Sequence, residues 1–99
     1  MSYAEFHFQH VRLTILRVLA EAPGYSANDS VLTDAVNAMG LICTRDQLRT
    51  NLAWLEEQRL LTLLHPSPTL TVATISERGA DVAKGRSIVA GVQRPSPGG

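Results

Sequence analysis

Arg45, Gln47, Arg49 and Thr50 stand close together at helical spacing, and they are the residues best suited to chemistry with a partner. On one helix, arginine can pair with a guanine edge, glutamine with adenine, and threonine with a phosphate or a thymine methyl. Thr44 precedes them, with Gln47 three residues on, which is a capping box at a helix start. The N–H groups freed at such a start can hold a backbone phosphate. Double-stranded DNA is therefore the candidate partner, through Thr44, Arg45, Gln47, Arg49 and Thr50. The opposing signals are Asp46, Glu56 and Glu57 near the same surface, and the absence of Lys or Arg from Leu60 through Ser76.

Other chemistries find less material. His7 and His10 are three residues apart, while Cys43 and His65 lie elsewhere. A zinc site wants about four N or S ligands. No such set is visible, so the imidazoles read as surface groups beside an apolar helix, and no metal or other cofactor is expected. Cys43 just before a helix start is a weak candidate for a redox switch; its ordinary role is that of a small buried apolar residue. Gly-rich phosphate loops, paired catalytic carboxylates and a nucleophile with an adjacent base are all missing, so no catalytic residue is assigned and an enzyme is not expected.

The elements that must position the DNA-facing set follow from periodicity. Leu48, Leu52 and Leu55 form a narrow seam behind the helix that begins after Thr44, leaving Asp46, Thr50, Ala53 and Glu57 outward and Arg49 on the flank. Before it, 29–39 reads as a helix capped by Asn28, with Leu32, Ala35, Val36 and Met39 on one face and Gly40 closing it. The four residues between the two helices suit a helix-turn-helix. After it, 60–64 and 69–75 read as strands of a hairpin whose tip is His65-Pro66-Ser67-Pro68. Ser76 and Glu77 then start a last short helix ending near Gly85.

Residues 3–22 carry the longest helical pattern, ended by Pro23-Gly24. Its main apolar face holds Ala4, Phe8, Val11, Ile15, Val18, Leu19 and Ala22. A second stripe, with Phe6, Leu13, Leu16 and Ala20, lies nearly opposite. Two apolar faces on one helix of a small protein favour a second copy, which makes Phe6, Leu13 and Leu16 the candidate homodimer interface. The alternative is that the last helix covers that stripe. Trp54 points away from the leucine seam, toward the wing or the first helix of a partner.

The chain has 99 residues, 44% of them apolar, enough for one domain with one aliphatic core. Nine basic and nine acidic residues balance, and the pI is near 6.8. That neutrality counts against nucleic acid without excluding a local patch. One cysteine, no secretory pattern and no apolar run approaching the ~18 residues of a membrane span point to the cytoplasm, here of a bacterial host cell. Residues 1–86 are expected to form the domain and 87–99 a loosely ordered tail.

The order helix, helix, helix, strand, strand, helix is mainly α with a small β-hairpin, the winged helix-turn-helix. The stretch TRDQLRTNLAWLEEQRLLTLL resembles the core of ArsR- and MarR-like regulators, and TVATISERGADVAKGR resembles their second wing strand and closing helix. RLTILRVLAEAPGYSANDSVL with RDQLRTNLAWLEEQ is most similar to small winged-helix proteins of Mu-like phages and prophages. The resemblance spans about residues 8–86. It implies a homodimeric transcriptional regulator whose third helix enters the major groove. The rival is a winged-helix interaction module for phage assembly or packaging, which the uncharged wing favours. Arg59 departs from the pattern, standing where such proteins commonly have a glycine.

Overall fold

The computed structural model describes residues 2–96. Its helices are α1 (Tyr3–Glu21), α2 (Asp29–Ala38), α3 (Arg45–Glu57) and α4 (Glu77–Ala83), and its strands are β1 (Ser26–Asn28), β2 (Leu61–Ser67) and β3 (Leu70–Ile75). The expected winged-helix order is present, with one strand added between α1 and α2. The sheet runs β1-β3-β2, all antiparallel, so the wing hairpin is anchored at its base by a third strand. β1 has only Ser, Ala and Asn, which lack strand propensity. It is held instead by pairing with β3 and by the Ser26 hydroxyl, which donates to Ala73 O at 3.1 Å. No helix among the described residues is long and apolar enough to cross a membrane.

The helix starts are as the local chemistry dictates. Asn28 accepts from Val31 N at 2.8 Å, Ser76 accepts from Gly79 N at 3.0 Å, and Thr44 with Gln47 forms the full capping box. The ends of α2, α3 and α4 share one design, in which the residue past the cap turns left-handed and the next N–H reaches back five residues. Gly40 and Gly85 serve α2 and α4 with φ of 83° and 79°; α3 uses Arg59 with φ of 62°. Leu60 N bonds Leu55 O at 3.0 Å, so the missing glycine does not alter the motif. Gly79 then lets α4 approach closely, since a Cβ there would overlap the Leu60 carbonyl oxygen and sit 2.8 Å from Ile75 Cγ1.

α1 is the centre of the molecule, in contact with α2, α3, β3 and α4. Val11, Ile15 and Leu19 are fully buried, but so is Leu16, and Leu13 is 6% exposed. This corrects the dimer interface read from the second stripe. Leu13 and Leu16 belong to the buried core that also takes in Val82, Ala83, Val89 and Val92, and α1 packs on α4, so the alternative holds and the stripe is covered within the chain. Phe6 alone of the three stays half-exposed.

The domain boundary at residue 86 is corrected for the same reason. Val89 and Val92 are buried, Gln93 N donates to Gln9 O at 3.2 Å, and Arg12 Nη1 donates to Gly91 O at 3.0 Å. Trp54 neither lies under the wing nor awaits a partner. Arg12 sits over its ring at 4.2 Å, and Gly91 packs so close that a Cβ there would fall 2.6 Å from the indole. Residues 97–99 of the predicted tail lie outside the described residues.

The wing also differs in detail from expectation. β2 continues through Ser67, with an irregularity between Leu64 and Ser67, so the turn falls at Pro68-Thr69. β2 is an edge strand, and it is blunted in two ways. Glu56 Oε2 accepts from Leu63 N at 2.8 Å, and Pro66 has no N–H to offer. Because a left-handed Arg costs about 1–2 kcal/mol over Gly, offset by about 0.4–1 kcal/mol from glycine's larger unfolded entropy, Arg59→Gly is expected to raise stability by roughly 0.5–1 kcal/mol in urea unfolding.

Candidate nucleic-acid interface

α3 presents an outward face because its inner one is sealed. Leu48, Leu52 and Leu55 are fully buried, as the seam requires, and Asn51 beside them is 4% exposed. Asn51 is satisfied by accepting from Arg12 Nε at 2.8 Å and donating to Gln47 O at 2.8 Å. Asp46, Thr50, Ala53 and Glu57 are exposed. The connection from α2 is fixed by Asn37, whose Nδ2 donates to Thr33 O and Cys43 O and whose Oδ1 accepts from Cys43 N.

The predicted contact residues have divided roles. Thr44 spends its hydroxyl on Gln47 N at 3.1 Å, and Gln47 spends its Oε1 on Thr44 N at 3.0 Å, leaving the Gln47 Nε2 outward. The Thr50 hydroxyl donates back to Asp46 O at 3.0 Å from an exposed position. Arg45 and Arg49 are brought together on Asp29, the acid in the first turn of α2. Arg45 donates to both carboxylate oxygens, through Nη2 to Oδ1 at 3.1 Å and Nε to Oδ2 at 3.2 Å. Arg49 Nε donates to Oδ2 at 2.6 Å, and Ser30 N to Oδ1 at 3.0 Å. Arg45 Nη2 also reaches Thr69 O at the wing turn, at 2.7 Å.

Asp29 is fully buried, while the Arg45 and Arg49 side chains are 45% and 33% exposed. Burial alone would push the Asp29 carboxyl up. The hydrogen bonds from Arg45 and Arg49, a backbone bond from Thr71 and the Arg45 charge outweigh it and hold the group at about 2. A clue was present in the sequence. Like charges four apart on a helix face disfavour the helix unless a counter-charge sits between them.

The remaining surroundings are nearly neutral. Asp46, Glu56 and Glu57 are exposed on α3, and the wing offers only uncharged groups, with Leu64 67% exposed and His65 Nδ1 3.2 Å from Thr71 Oγ1. His7, His10, Cys43 and His65 are not gathered, and no group of three or more His, Cys, Asp or Glu converges among the described residues. His7 Nε2 is instead within 2.8 Å of Ile42 O, and burial pushes the Cys43 thiol up, away from the reactive thiolate.

A helix-turn-helix backed by α1, with a β-ribbon beside its second helix, makes this a winged-helix protein. The solved complex structure of hsRosR-S1 has the same fold, with a TM-score of 0.62 at 18% identity. The match covers 74% of this chain and 63% of that one, less than two thirds of its length. Closer in sequence are an uncharacterized protein of Haemophilus influenzae and the uncharacterized protein gp26 of Escherichia phage Mu. The first is 46% identical over 79% of this chain and 76% of its own; the second is 44% identical over 87% and 88%. The chain belongs to the family of phage Mu gp26. No family model matches it, and the comparisons do not extend to an ArsR- or MarR-like assignment.

Asp29 links the joint to pH. Its folded value lies below the 3.8 of an ordinary carboxyl. Its contribution to stability is therefore complete above about pH 4 and is lost as pH falls toward 2. Thermal unfolding of the wild type and Asp29→Asn across pH 2–6 checks this. The gap between their midpoints is expected to close in that window.

Proposed function

We propose that this protein binds double-stranded DNA through α3 and acts as a transcriptional regulator of a phage or prophage, in the cytoplasm of the bacterial host. The observation that carries the reading is the exposed first half of α3, sealed behind by leucines and tied beside the wing. In helix-turn-helix docking that half faces the major groove. Gln47 and Thr50 are the outward groups suited to base edges, and Arg45 and Arg49 lie on the flank nearer the wing. Membership of a family with a phage member supports the setting. A second reading, a winged-helix module for protein contacts in phage assembly or packaging, is favoured by one specific observation, the wing without a cation.

A gel-shift titration with phage DNA at about 50 mM salt separates the two readings. The wild type is expected to retard the duplex. Thr50→Glu places a charge on the outward face without touching the core and is expected to weaken binding about tenfold, while Asp46→Asn strengthens it. Failure of the wild type to retard any duplex removes the regulator and leaves the interaction module.

A second copy is kept in the proposal at a different place from Leu13 and Leu16. Phe6, Tyr3, Met39 and Ile42 are exposed. His7 and His10 connect them, with His7 against Ile42 O and stacked on Tyr3, and His10 edge-on to Phe6. An exposed apolar cluster of this kind suits a two-fold contact. Sedimentation at micromolar concentration is expected to give a dimer; a clean monomer removes this part.

A further inference from the structure

We infer that Arg45 and Arg49 form a clamp for one backbone phosphate of DNA at the root of the wing, and that Asp29 is the positioning residue that builds it. The inference rests on the DNA-binding reading and assigns the flank of α3 a different task from its outward face. Three observations carry it.

The first is convergence. Two guanidinium groups from successive turns of α3 meet on one fully buried carboxylate, so the three groups carry one positive charge over, with exposed Asp46 also acting on Arg45. The second is the donors left over. Asp29 and Thr69 O occupy Nε and Nη2 of Arg45 and Nε of Arg49. Among the described residues, Arg45 Nη1 and both Nη atoms of Arg49 have no protein acceptor, and both side chains reach solvent. Phosphate offers several acceptor oxygens to a planar fork, which is the pairing guanidinium groups make best. The third is position. Arg45 is bonded to the backbone of the wing turn, so the cluster fills the corner between α3 and the wing. β2 and β3 carry no cation of their own, and this joint brings α3's positive charge to the wing.

Asp29 is more than a fold contact in this arrangement. Untethered arginines at this spacing would repel each other and lose side-chain entropy on gripping a phosphate. The buried carboxylate removes both costs beforehand. Its negative charge is also the reason a decisive experiment exists. Bare electrostatics says that deleting an acid beside a phosphate tightens binding, whereas a positioning role says that it weakens binding.

The test is fluorescence anisotropy of a labelled duplex, two helical turns long, against wild type, Asp29→Asn and Arg45→Lys, over a salt series. Thermal melts of each variant establish folding. Asp29→Asn is expected to weaken binding about fivefold or more, with a salt slope shallower by about 0.9, the loss of one phosphate contact. Arg45→Lys keeps the charge but not the fork, and is expected to weaken binding about threefold. A folded Asp29→Asn that binds as tightly as wild type, or more tightly, overturns the inference while the DNA-binding reading stands. Should Asp29→Asn fail to fold, Arg45→Lys decides, and unchanged affinity there overturns it. A wild type that binds no duplex overturns both readings together.

Discussion

One buried carboxylate holds together the three parts that define this winged helix. Asp29 belongs to the first turn of α2, its two arginines belong to α3, and Arg45 passes the connection on to Thr69 at the wing. Removing a carboxylate from water costs several kcal/mol, and only dense, well-directed bonding recovers that cost. Here both oxygens are saturated by guanidinium and backbone donors. The angle between α2 and α3 and the distance from α3 to the wing are therefore coupled to one charge. Leucine packing behind α3 supplies the larger part of the burial energy. It is not directional, and the ion cluster is what fixes the corner.

The second constraint lies on the opposite side of α1. A helix with apolar residues on two sides must be covered on both, and the second cover here is the chain's own C-terminal segment. Val89 and Val92 are buried in the same core as Leu13 and Leu16, and Arg12 joins the segment to Trp54 and Asn51. A guanidinium that is at once stacked on an indole and bonded to a side-chain amide and a carbonyl is heavily constrained, so the segment is held by directional contacts as well as by burial. The surface that α1 leaves open is its N-terminal outer stripe.

What could be read from the residues alone was whatever local chemistry decides. The α3 capping box, the Asn28 and Ser76 caps, the leucine seam and the outward set Asp46, Thr50, Ala53 and Glu57 all depend on residues within a few positions of each other. Even the absence of glycine at residue 59 was visible, and the structure places Arg59 in the left-handed conformation that a glycine normally takes. What escaped reading was nonlocal. β1 has no strand-forming residue and exists because β3 offers it an edge. The C-terminal segment has the composition of a linker, yet two valines suffice to seat it. Asp29 stands in the first turn of α2, an ordinary place for an acid, and the arginines it holds are sixteen and twenty residues away. For Leu13 and Leu16 periodicity showed that they must be buried, but it could not choose between a second copy and the last helix.

The neutrality of the molecule bears on how such a protein could bind DNA at all. Of its nine cations, Arg12 is committed to Trp54 and Gly91, and Arg45 with Arg49 share one acid. If a chain this neutral were to neutralise only about three or four phosphates on a duplex, raising salt from about 50 to 200 mM would cost roughly two orders of magnitude in affinity, against three to five for strongly basic binders. Long-range attraction is correspondingly weak, and more of the binding free energy must come from contacts that need no ordering on arrival. A rigid corner in which helix, wing and guanidinium groups are already aligned meets that requirement, because pre-organised donors lose little entropy when a phosphate replaces water. On this reasoning the uncharged wing and the saturated carboxylate belong to one design, with little overall charge and much prior positioning.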